Sequence, residues 1–283
     1  MKLVRYGEKN RERPGVLDEH GVVRDLSGVL PEDGGSALSA ESLARVASAL
    51  SEGRLPEVRA PGRLGPCVGA VGKIVCVGLN YHEHIREVGA TAPTEPVLFM
   101  KAPSSLSGPY DDVHIPVGSA ATDWEVELGV VIGERATRVT PEQALDHVAG
   151  YCIVNDISER DWQLKGTGQW VKGKSADTFA PIGPWLVTRD EVPDPQRLSL
   201  QLSLNGEAQQ RGNTADMVFD VRFLVSYISR FMTLLPGDII STGTPPGVGM
   251  GKKPPRYLVP GDVMELTIDG LGVQKQRVVA APV

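Results

Sequence analysis

Two glutamates separated by one residue stand inside an apolar, β-branched run, DWEVELGVVIG at residues 123–133. Such a run favours a β-strand, and a strand directs residues i and i+2 to one face, so Glu125 and Glu127 should point the same way. Two like charges buried side by side are costly unless a cation neutralises them. The pattern therefore allows a half-buried strand that shows both acids to water, or a cation site.

A third carboxylate follows in the next apolar segment, where Asn155-Asp156 interrupts residues 151–157. We expect this segment to be a strand whose end opens into a pocket. Glu125, Glu127 and Asp156 could then present oxygen atoms to a hard cation, and all-carboxylate ligation suits Mg²⁺ or Mn²⁺ rather than zinc or copper. An aspartate after a strand is also typical of a turn or a helix cap, and this alternative stays open.

A possible acid–base pair occurs in NYHEHIRE, residues 80–87. On a helical turn His84 and Glu87 are three residues apart and can meet. A carboxylate that orients an imidazole makes it a better general base toward water. The alternative is a solvated helix face of mixed charge, and His82, on another side of the turn, is expected at the surface.

Two further segments could contact an anion. Lys174, in GKSADTF, is a candidate for a flexible loop cation that stabilises a developing enolate, although such lysines are often only solvated. The segment STGTPPG at residues 241–247 could form a tight turn that presents backbone N–H groups and a hydroxyl to an anion, or an ordinary Pro-Gly turn.

Strand patterns outnumber helix patterns along the chain. Helices are expected at residues 39–51, about 82–88, about 140–148 after a Thr-Pro-Glu-Gln capping box, and from Asp220 onward. The alternating residues 198–204 end in Asn205-Gly206, which indicates a hairpin. Further strands are expected at residues 73–79, 96–100, 124–132, 151–157, 185–188, 238–241 and 262–268. The absence of a regular βαβ rhythm predicts a β-rich α+β fold, a sandwich, roll or barrel.

A Pro/Gly-rich stretch at residues 55–66 divides the chain. Residues 1–66, with short strand patterns at 2–6, 15–17 and 21–26, are predicted to form a small separate domain. Residues 67–283 would form the main domain, which contains every candidate site residue.

Composition limits the classes of partner. The 283 residues are 41% hydrophobic, 23% charged and 5% aromatic, and the net charge is −6 without a basic block. Nucleic acid and membrane surfaces are therefore not expected as partners. Three cysteines form no CxxC pair, and the N-terminus has no signal-peptide core, so a cytoplasmic protein with reduced thiols is expected.

Seven segments in order resemble the fumarylacetoacetate hydrolase family, from about residue 70 to the C-terminus. They are KIVCVGLNYHEHIRE, EPVLFMKAPSSLSGPYD, DWEVELGVVIG, HVAGYCIVNDISERDWQ, GKSADTFAPIGPWLV, NTADMVFD and PGDIISTGTPPGVG. The resemblance implies a mixed β-sandwich roll with a small N-terminal α/β domain, a bound Mg²⁺ or Mn²⁺, a small-molecule oxo acid as substrate, and a homodimer.

The resemblance also implies roles for individual residues. Glu125, Glu127 and Asp156 match the metal ligands, and His84 and Glu87 match a dyad that activates water and lies on a lid. Lys174 matches a catalytic lysine beside the metal, and Thr178 matches a threonine just outside the ligands. The positions that match substrate contacts are Arg160, Gln163, Thr244 and, more weakly, Lys101.

The implied activity is hydrolysis of the C–C bond of a 2,4-dioxo acid to pyruvate and a carboxylic acid. Leu79 stands where many acylpyruvase-type members have arginine, and this departure disfavours simple acylpyruvates and oxaloacetate. The chain is most similar to bacterial members that act on 2,4-diketo-3-deoxy sugar acids, such as fuconate or rhamnonate derivatives, a group also labelled ureidoglycolate lyase. Ureidoglycolate lyase, oxaloacetate decarboxylase and a non-catalytic metabolite binder remain as alternatives.

Overall fold

Seventeen strands dominate the part of the chain that the computed structural model describes, residues 1–30 and 36–281. The strands are β1 (Lys2–Tyr6), β2 (Arg13–Leu17), β3 (Val23–Asp25), β4 (Ile74–Gly78), β5 (Val97–Lys101), β6 (Leu106–Ser107), β7 (Val113–Ile115), β8 (Thr122–Asp123), β9 (Val126–Ile132), β10 (Val148–Asn155), β11 (Ser158–Glu159), β12 (Ala180–Thr188), β13 (Ser199–Leu204), β14 (Glu207–Asn213), β15 (Ile239–Ser241), β16 (Val263–Ile268) and β17 (Gly272–Ala280).

The helices are short and lie between the strands. The α-helices are α1 (Ala40–Ser51), α2 (His82–Glu87), α3 (Arg160–Leu164), α4 (Val171–Lys174) and α5 (Val221–Ser229). Single 3-10 turns occur at Ser36–Leu38, Pro103–Ser105, Ala144–His147, Arg189–Glu191, Thr214–Asp216 and Gly249–Gly251. The predicted strand-rich α+β class is therefore confirmed.

Two sheets pack around the main core. The larger has the strand order β3-β2-β1-β12-β10-β9-β15-β4-β5, with β6 beside β12, and the smaller has the order β14-β13-β16-β17-β7. Side chains from both sheets and from α5 belong to one buried cluster, which includes Val130, Ile153, Leu202, Leu266 and Leu224. The sheets therefore face each other as a sandwich.

Strand β9 is buried on both faces, which explains its almost uninterrupted apolar sequence. Leu128 and Val130 point into the core between the sheets, whereas Val131 packs in a second cluster on the other face, beside Cys152. Because side chains alternate along a strand, Glu127 shares the face of Val131. The acidic site therefore lies on the side of the large sheet that faces away from the small sheet.

Several local predictions are confirmed. β13 and β14 form the expected hairpin, and Asn205 and Gly206 at its turn have φ values of 54° and 83°, as a two-residue turn of type I′ requires. The Asp220 side chain accepts a hydrogen bond from the Phe223 N–H (2.7 Å) and caps α5. Helices also form at the expected positions α1 and α2.

The helix predicted at residues 140–148 is wrong. The structure has a 3-10 turn at Ala144–His147, and β10 already begins at Val148, where it pairs with Ile132. Only half of the capping box forms, because Gln143 Oε1 accepts from the Thr140 N–H (3.4 Å) without the reciprocal bond. The helix cannot extend to residue 148, because Val148 already pairs with β9. β17 was not predicted.

The N-terminal strands continue the large sheet. β1 pairs antiparallel with β12, with Lys2 opposite Val187 and Leu3 opposite Leu186. β2 and β3 then extend the sheet outward. The division into domains at residue 66 stays a prediction.

Cys67, Cys76 and Cys152 are buried free thiols, and burial raises the pKa of Cys67 and of Cys76. Among residues 1–30 and 36–281, no helix has the length and apolar character that crossing a membrane requires.

The hairpin turn provides a test of backbone conformation. A Cβ atom on Gly206 would meet nothing within 4 Å, so Gly206→Ala should destabilise the fold only through its positive φ, by about 1 kcal/mol. Urea denaturation measures the free energy of unfolding. Gly28→Ala is the matched control, because that site is equally open without a left-handed φ, and it should not lower stability. Equal effects of both substitutions would contradict the turn assignment.

Candidate active site

Glu125, Glu127 and Asp156 converge because β9 and β10 are antiparallel neighbours. Glu125 directly precedes β9, Glu127 is its second residue, and Asp156 directly follows β10. The Asp156 N–H donates to the carbonyl of Glu125 (2.9 Å), which fixes the two chain segments side by side. One carboxylate oxygen from each residue lies within 4.8 Å of the others, and all three side chains are buried.

Basic side chains compensate two of these carboxylates. Lys174 Nζ lies 2.8 Å from Glu125 Oε2 and 2.7 Å from Asp156 Oδ2, and Lys101 Nζ lies 2.6 Å from Asp156 Oδ1. Arg160 Nη2 lies 2.7 Å from Glu125 Oε1. Burial alone would raise the pKa of Glu125, but Lys174 and Arg160 outweigh it and hold that pKa well below its usual range.

Glu127 has no comparable partner. Its Oε2 accepts from Ser241 Oγ (2.6 Å) and from the Gly243 N–H (2.9 Å), but the ion pairs within the described chain do not include it. Burial, followed by the charges of Asp156 and Glu125, raises the pKa of Glu127 to about 8. The cluster therefore lacks positive charge at Glu127.

A divalent cation fits this donor set. Three carboxylates supply only hard oxygen atoms, the ligands that Mg²⁺ and Mn²⁺ prefer. The cation would also offset the unmatched charge at Glu127. Glu125, Glu127 and Asp156 are the residues that would hold it.

The predicted acid–base pair forms on α2. His84 Nδ1 lies 2.9 Å from Glu87 Oε2, and the other oxygen of Glu87 accepts from the Gly247 N–H (2.8 Å). In the tautomer that carries its proton on Nδ1, His84 donates to Glu87 and presents Nε2 as a proton acceptor. His82 is exposed on the same helix, as expected.

A cavity of about 480 Å³ joins the dyad to the acidic cluster. Its polar lining includes His84, Glu87, Glu125, Glu127, Arg160, Gln163, Lys174, Thr244, Lys252 and Lys253. The apolar lining includes Val77, Leu79, Val88, Phe99, Leu164, Trp170 and Met250. A base, carboxylates and cations thus face one space that is large enough for a small organic acid.

The segment from Ser241 to Met250 donates hydrogen bonds to carboxylates of both the acidic cluster and the dyad. For residues 241–247 the sequence allows an anion-binding turn or an ordinary Pro-Gly turn, and backbone N–H groups here bind carboxylates of the protein itself. The pairs are Gly243 with Glu127 (2.9 Å), Gly247 with Glu87 (2.8 Å), and Gly249 and Met250 with Asp123 (2.7 and 2.9 Å).

The remaining predicted residues fall into two groups. Arg160, Gln163 and Thr244 line the cavity, as substrate contacts should. Lys101 does not line it, because its ammonium group binds Asp156 and the carbonyl of Ile157. Thr178 also lies outside the lining, where its hydroxyl accepts from the His114 N–H (2.9 Å).

Lys174 differs from its predicted setting. It is not in a flexible loop but ends α4, and its side chain is 2% exposed. Asp156 and then Glu125 raise the pKa of its ammonium group against the effect of burial. Lys174 is therefore a fixed charge held by two of the carboxylates.

Asp123, a fully buried residue at the end of β8, is not among the predicted site residues. Its carboxylate accepts from Arg160 Nε (2.9 Å), lies 2.8 Å from Arg160 Nη2, and accepts from the Gly249 and Met250 N–H groups. Asp123 thus positions the guanidinium that holds Glu125. The signal was present in the sequence, because Asp123 continues the i, i+2 spacing of Glu125 and Glu127.

The chain is similar to several known proteins. The family model described as "Fumarylacetoacetate (FAA) hydrolase C-terminal" matches residues 73–279. A relative from Burkholderia orbicola (strain MC0-3), named only as a hydrolase, is 57% identical over 278 residues, which are 98% of each chain.

Solved structures are similar over nearly the whole chain. Fumarylacetoacetate hydrolase from psychrophilic Exiguobacterium antarcticum has a TM-score of 0.86 and 37% identity, and it covers 99% of this chain and 100% of its own. Maleylpyruvate hydrolase from Sphingobium sp. SYK-6, in complex with manganese(II) ion and pyruvate, has a TM-score of 0.81 and 31% identity, with 100% of both chains covered. 2-Hydroxyhepta-2,4-diene-1,7-dioate isomerase from Mycobacterium marinum has a TM-score of 0.77 and 32% identity, again with 100% of both chains covered.

Glu127→Gln tests the metal site directly. The amide oxygen can still accept from Ser241 and Gly243, but the charge is lost, so Mn²⁺ affinity should fall at least about 100-fold. Isothermal titration calorimetry with Mn²⁺ measures the dissociation constant. Glu265→Gln, on an exposed carboxylate of β16, is the control and should bind Mn²⁺ like the wild type. Unchanged affinity in Glu127→Gln would contradict the site.

Asp123→Asn tests the positioning role of the buried carboxylate. It removes one of the two charges that neutralise Arg160, and breaking a buried ion pair costs about 3–5 kcal/mol of unfolding free energy. Urea denaturation provides the measurement. The control is Asp161→Asn, which removes an exposed pair with Lys165 on the same helix and should change stability little. A small effect of Asp123→Asn on the free energy of unfolding would contradict a stabilising role of the Asp123–Arg160 pair.

Proposed function

The chain belongs to the fumarylacetoacetate hydrolase family, and from that premise we propose that it is a divalent-metal-dependent hydrolase that cleaves a C–C bond of a 2,4-dioxo acid. The products would be pyruvate and a carboxylic acid. The cofactor would be Mg²⁺ or Mn²⁺, and manganese(II) and pyruvate are the ligands named for the similar maleylpyruvate hydrolase structure.

One observation carries this proposal. A single cavity is lined by Glu125 and Glu127 of the acidic cluster, by the His84–Glu87 dyad and by Lys174. A metal site alone needs no base, and a solvated dyad needs no metal. Together they match a reaction in which water attacks one carbonyl while negative charge develops on the other half of the substrate.

The substrate would lie with its pyruvate half at the acidic cluster. When bound, the divalent cation would supply Lewis acidity at the carboxylate and 2-oxo group. Lys174, fixed by Glu125 and Asp156, would stabilise the negative charge that develops there. Arg160 and Gln163 line the same cavity and would contact the substrate's oxygen atoms.

The acyl half would meet the dyad. His84 would take a proton from water while Glu87 holds the imidazole, and the water oxygen would add to C4. The C3–C4 bond then breaks with its electron pair remaining on C3, and protonated His84 can return the proton that completes the methyl group of pyruvate. One water is consumed, and one carboxylic acid and one pyruvate are formed.

The apolar residues of the cavity lining limit how many hydroxyl groups the acyl part of the substrate can carry. Phe99 and Leu164 carry no hydrogen-bonding groups, and Trp170 has only its indole N–H, so this part of the lining offers few partners for several hydroxyl groups. This wall favours a less hydroxylated acyl group than the 2,4-diketo-3-deoxy sugar acid expected from the resemblance. The sugar acid, the homodimer and the roles of ureidoglycolate lyase, oxaloacetate decarboxylase or metabolite binder stay predictions.

An isomerase is the second candidate, because the similar Mycobacterium marinum structure carries that name. An isomerase moves a proton between carbon atoms and releases no pyruvate. A panel of 2,4-dioxo acids, sugar-acid derivatives, oxaloacetate and ureidoglycolate therefore separates the candidates. Pyruvate and the matching carboxylic acid should appear in equal amounts with Mn²⁺ or Mg²⁺ and should disappear with a chelator.

Loss of the base should stop this reaction. His84→Gln should lower kcat on the best 2,4-dioxo acid about 10²–10⁴-fold, because water loses its proton acceptor. Pyruvate release measures the rate. His82→Gln, on the exposed side of the same helix, is the matched control and should keep wild-type turnover. Undiminished turnover of the best substrate in the panel by His84→Gln would indicate a decarboxylase or lyase, which needs no attacking water.

A further inference from the structure

Two carboxylates hold the ammonium group of Lys174 but do not use all of its hydrogens. Its Nζ lies 2.8 Å from Glu125 Oε2 and 2.7 Å from Asp156 Oδ2, and an ammonium group has three N–H donors. In the proposed reaction the third N–H would face the substrate oxygen on which negative charge develops. The direction of this third N–H therefore decides whether Lys174 can act on the substrate.

An aromatic ring covers another side of the same ammonium group. The centroid of the Phe99 ring on β5 lies 4.9 Å from Lys174 Nζ, within the range of a cation–π interaction. The Lys174 side chain is 2% exposed, so the ring and the carboxylates leave little room for water beside it. A charge that is fixed and shielded from water acts more strongly on a reacting oxygen.

Trp170 packs against this ring and is itself seated on β4. The centroids of Phe99 and Trp170 are 5.2 Å apart. Because Cys76 pairs with Phe99 and Gly78 with Val97, Gly78 lies on the face of the sheet that carries Phe99. A Cβ atom on Gly78 would be 2.5 Å from Trp170 Cζ3. The indole therefore occupies space that only glycine leaves.

Trp170 also stands at the start of the helix that carries Lys174. Its φ of −62° and ψ of −30° are helical, and it precedes Lys174 by four residues, so both side chains lie on one face of α4. Near the other end of α4, a Cβ atom on Gly173 would be 2.4 Å from the carbonyl oxygen of Glu159 and 2.5 Å from the backbone nitrogen of Gln163. The helix is therefore anchored by the indole at its start and by Gly173 before its last residue.

We propose that Trp170 is a positioning residue that acts through Lys174. By seating its indole on Gly78 and against Phe99, Trp170 fixes α4 and the ring so that the third N–H of the ammonium group points into the cavity. This inference rests on the proposed function. Trp170 lines the cavity, but its effect on the reaction rate is transmitted by Lys174 rather than by contact with the reacting atoms.

A double-mutant cycle tests this coupling. With saturating Mn²⁺ and the best 2,4-dioxo acid, Trp170→Leu should lower kcat about tenfold, as expected when one charge-assisted hydrogen bond is misdirected, and should leave KM within about twofold. In the Lys174→Met background the same substitution should lower kcat no further. Val171→Ala removes an exposed apolar side chain of α4 outside the cavity lining. It is the matched control and should leave kcat unchanged in both backgrounds.

Gly78→Ala provides a second route to the same measurement, in case Trp170→Leu does not fold. The added Cβ should displace the indole and lower kcat about tenfold, and again only where Lys174 is present. Equal losses of kcat in both backgrounds, a wild-type kcat, or a change confined to KM would overturn the inference, because the indole would then act independently of Lys174. Unfolding of both Trp170→Leu and Gly78→Ala would overturn it as well, since it would show a purely structural role.

If no 2,4-dioxo acid is cleaved, the proposed function fails, and binding of oxalate tests the inference separately. Oxalate carries the same pattern of oxygen atoms as the enolate of pyruvate and has no C–C bond that this chemistry would cleave. Calorimetry with Mn²⁺-loaded protein should show about tenfold weaker oxalate binding in Trp170→Leu than in the wild type. Lys174→Met with and without Trp170→Leu should bind it equally. Equal losses in both backgrounds, or no oxalate binding by the wild type, would contradict the inference.

Discussion

Repulsion among three buried carboxylates is the constraint around which the site is arranged. Glu125 and Asp156 are compensated by Lys174, with Arg160 and Lys101 on their outer sides, whereas Glu127 has only hydrogen bonds. The short helices α3 and α4 lie in the connection between β11 and β12, and they carry Arg160 and Lys174, respectively. Charge balance thus explains why so many polar side chains are buried here, and why the cluster suits a divalent cation.

The segment from Ser241 to Lys253 connects the parts of the site. Its N–H groups hold a carboxylate of the acidic cluster, the carboxylate of the dyad and buried Asp123. Gln210 of the small sheet ties it down as well, donating to Thr244 Oγ1 (2.7 Å) and to the carbonyl of Pro245 (2.8 Å). One continuous stretch of backbone therefore contacts both the dyad and the acidic cluster and fixes the distance between them.

Local patterns predicted the parts of the fold that local rules control. The spacing of Glu125 and Glu127, the Asn205-Gly206 turn and the Asp220 cap depend on neighbouring residues, and all appear in the structure. The direction of a long side chain depends on tertiary packing instead. The sequence therefore could not show that Lys101 binds Asp156 rather than lining the cavity. The helix after Thr140 failed for a related reason, because pairing between β9 and β10 overrides a weak local signal.

The pairing of β1 with β12 has a consequence for the solubility of shortened chains. The family match begins at residue 73. However, the C-terminal end of β12 pairs with residues 2 and 3 of β1, which lie outside the matched region. A protein cut down to the matched region would expose Leu186 and Val187 on an unpaired edge strand. Such edges recruit strands from other molecules. By pairing with β12, the N-terminal strands therefore protect the large sheet from edge-to-edge aggregation.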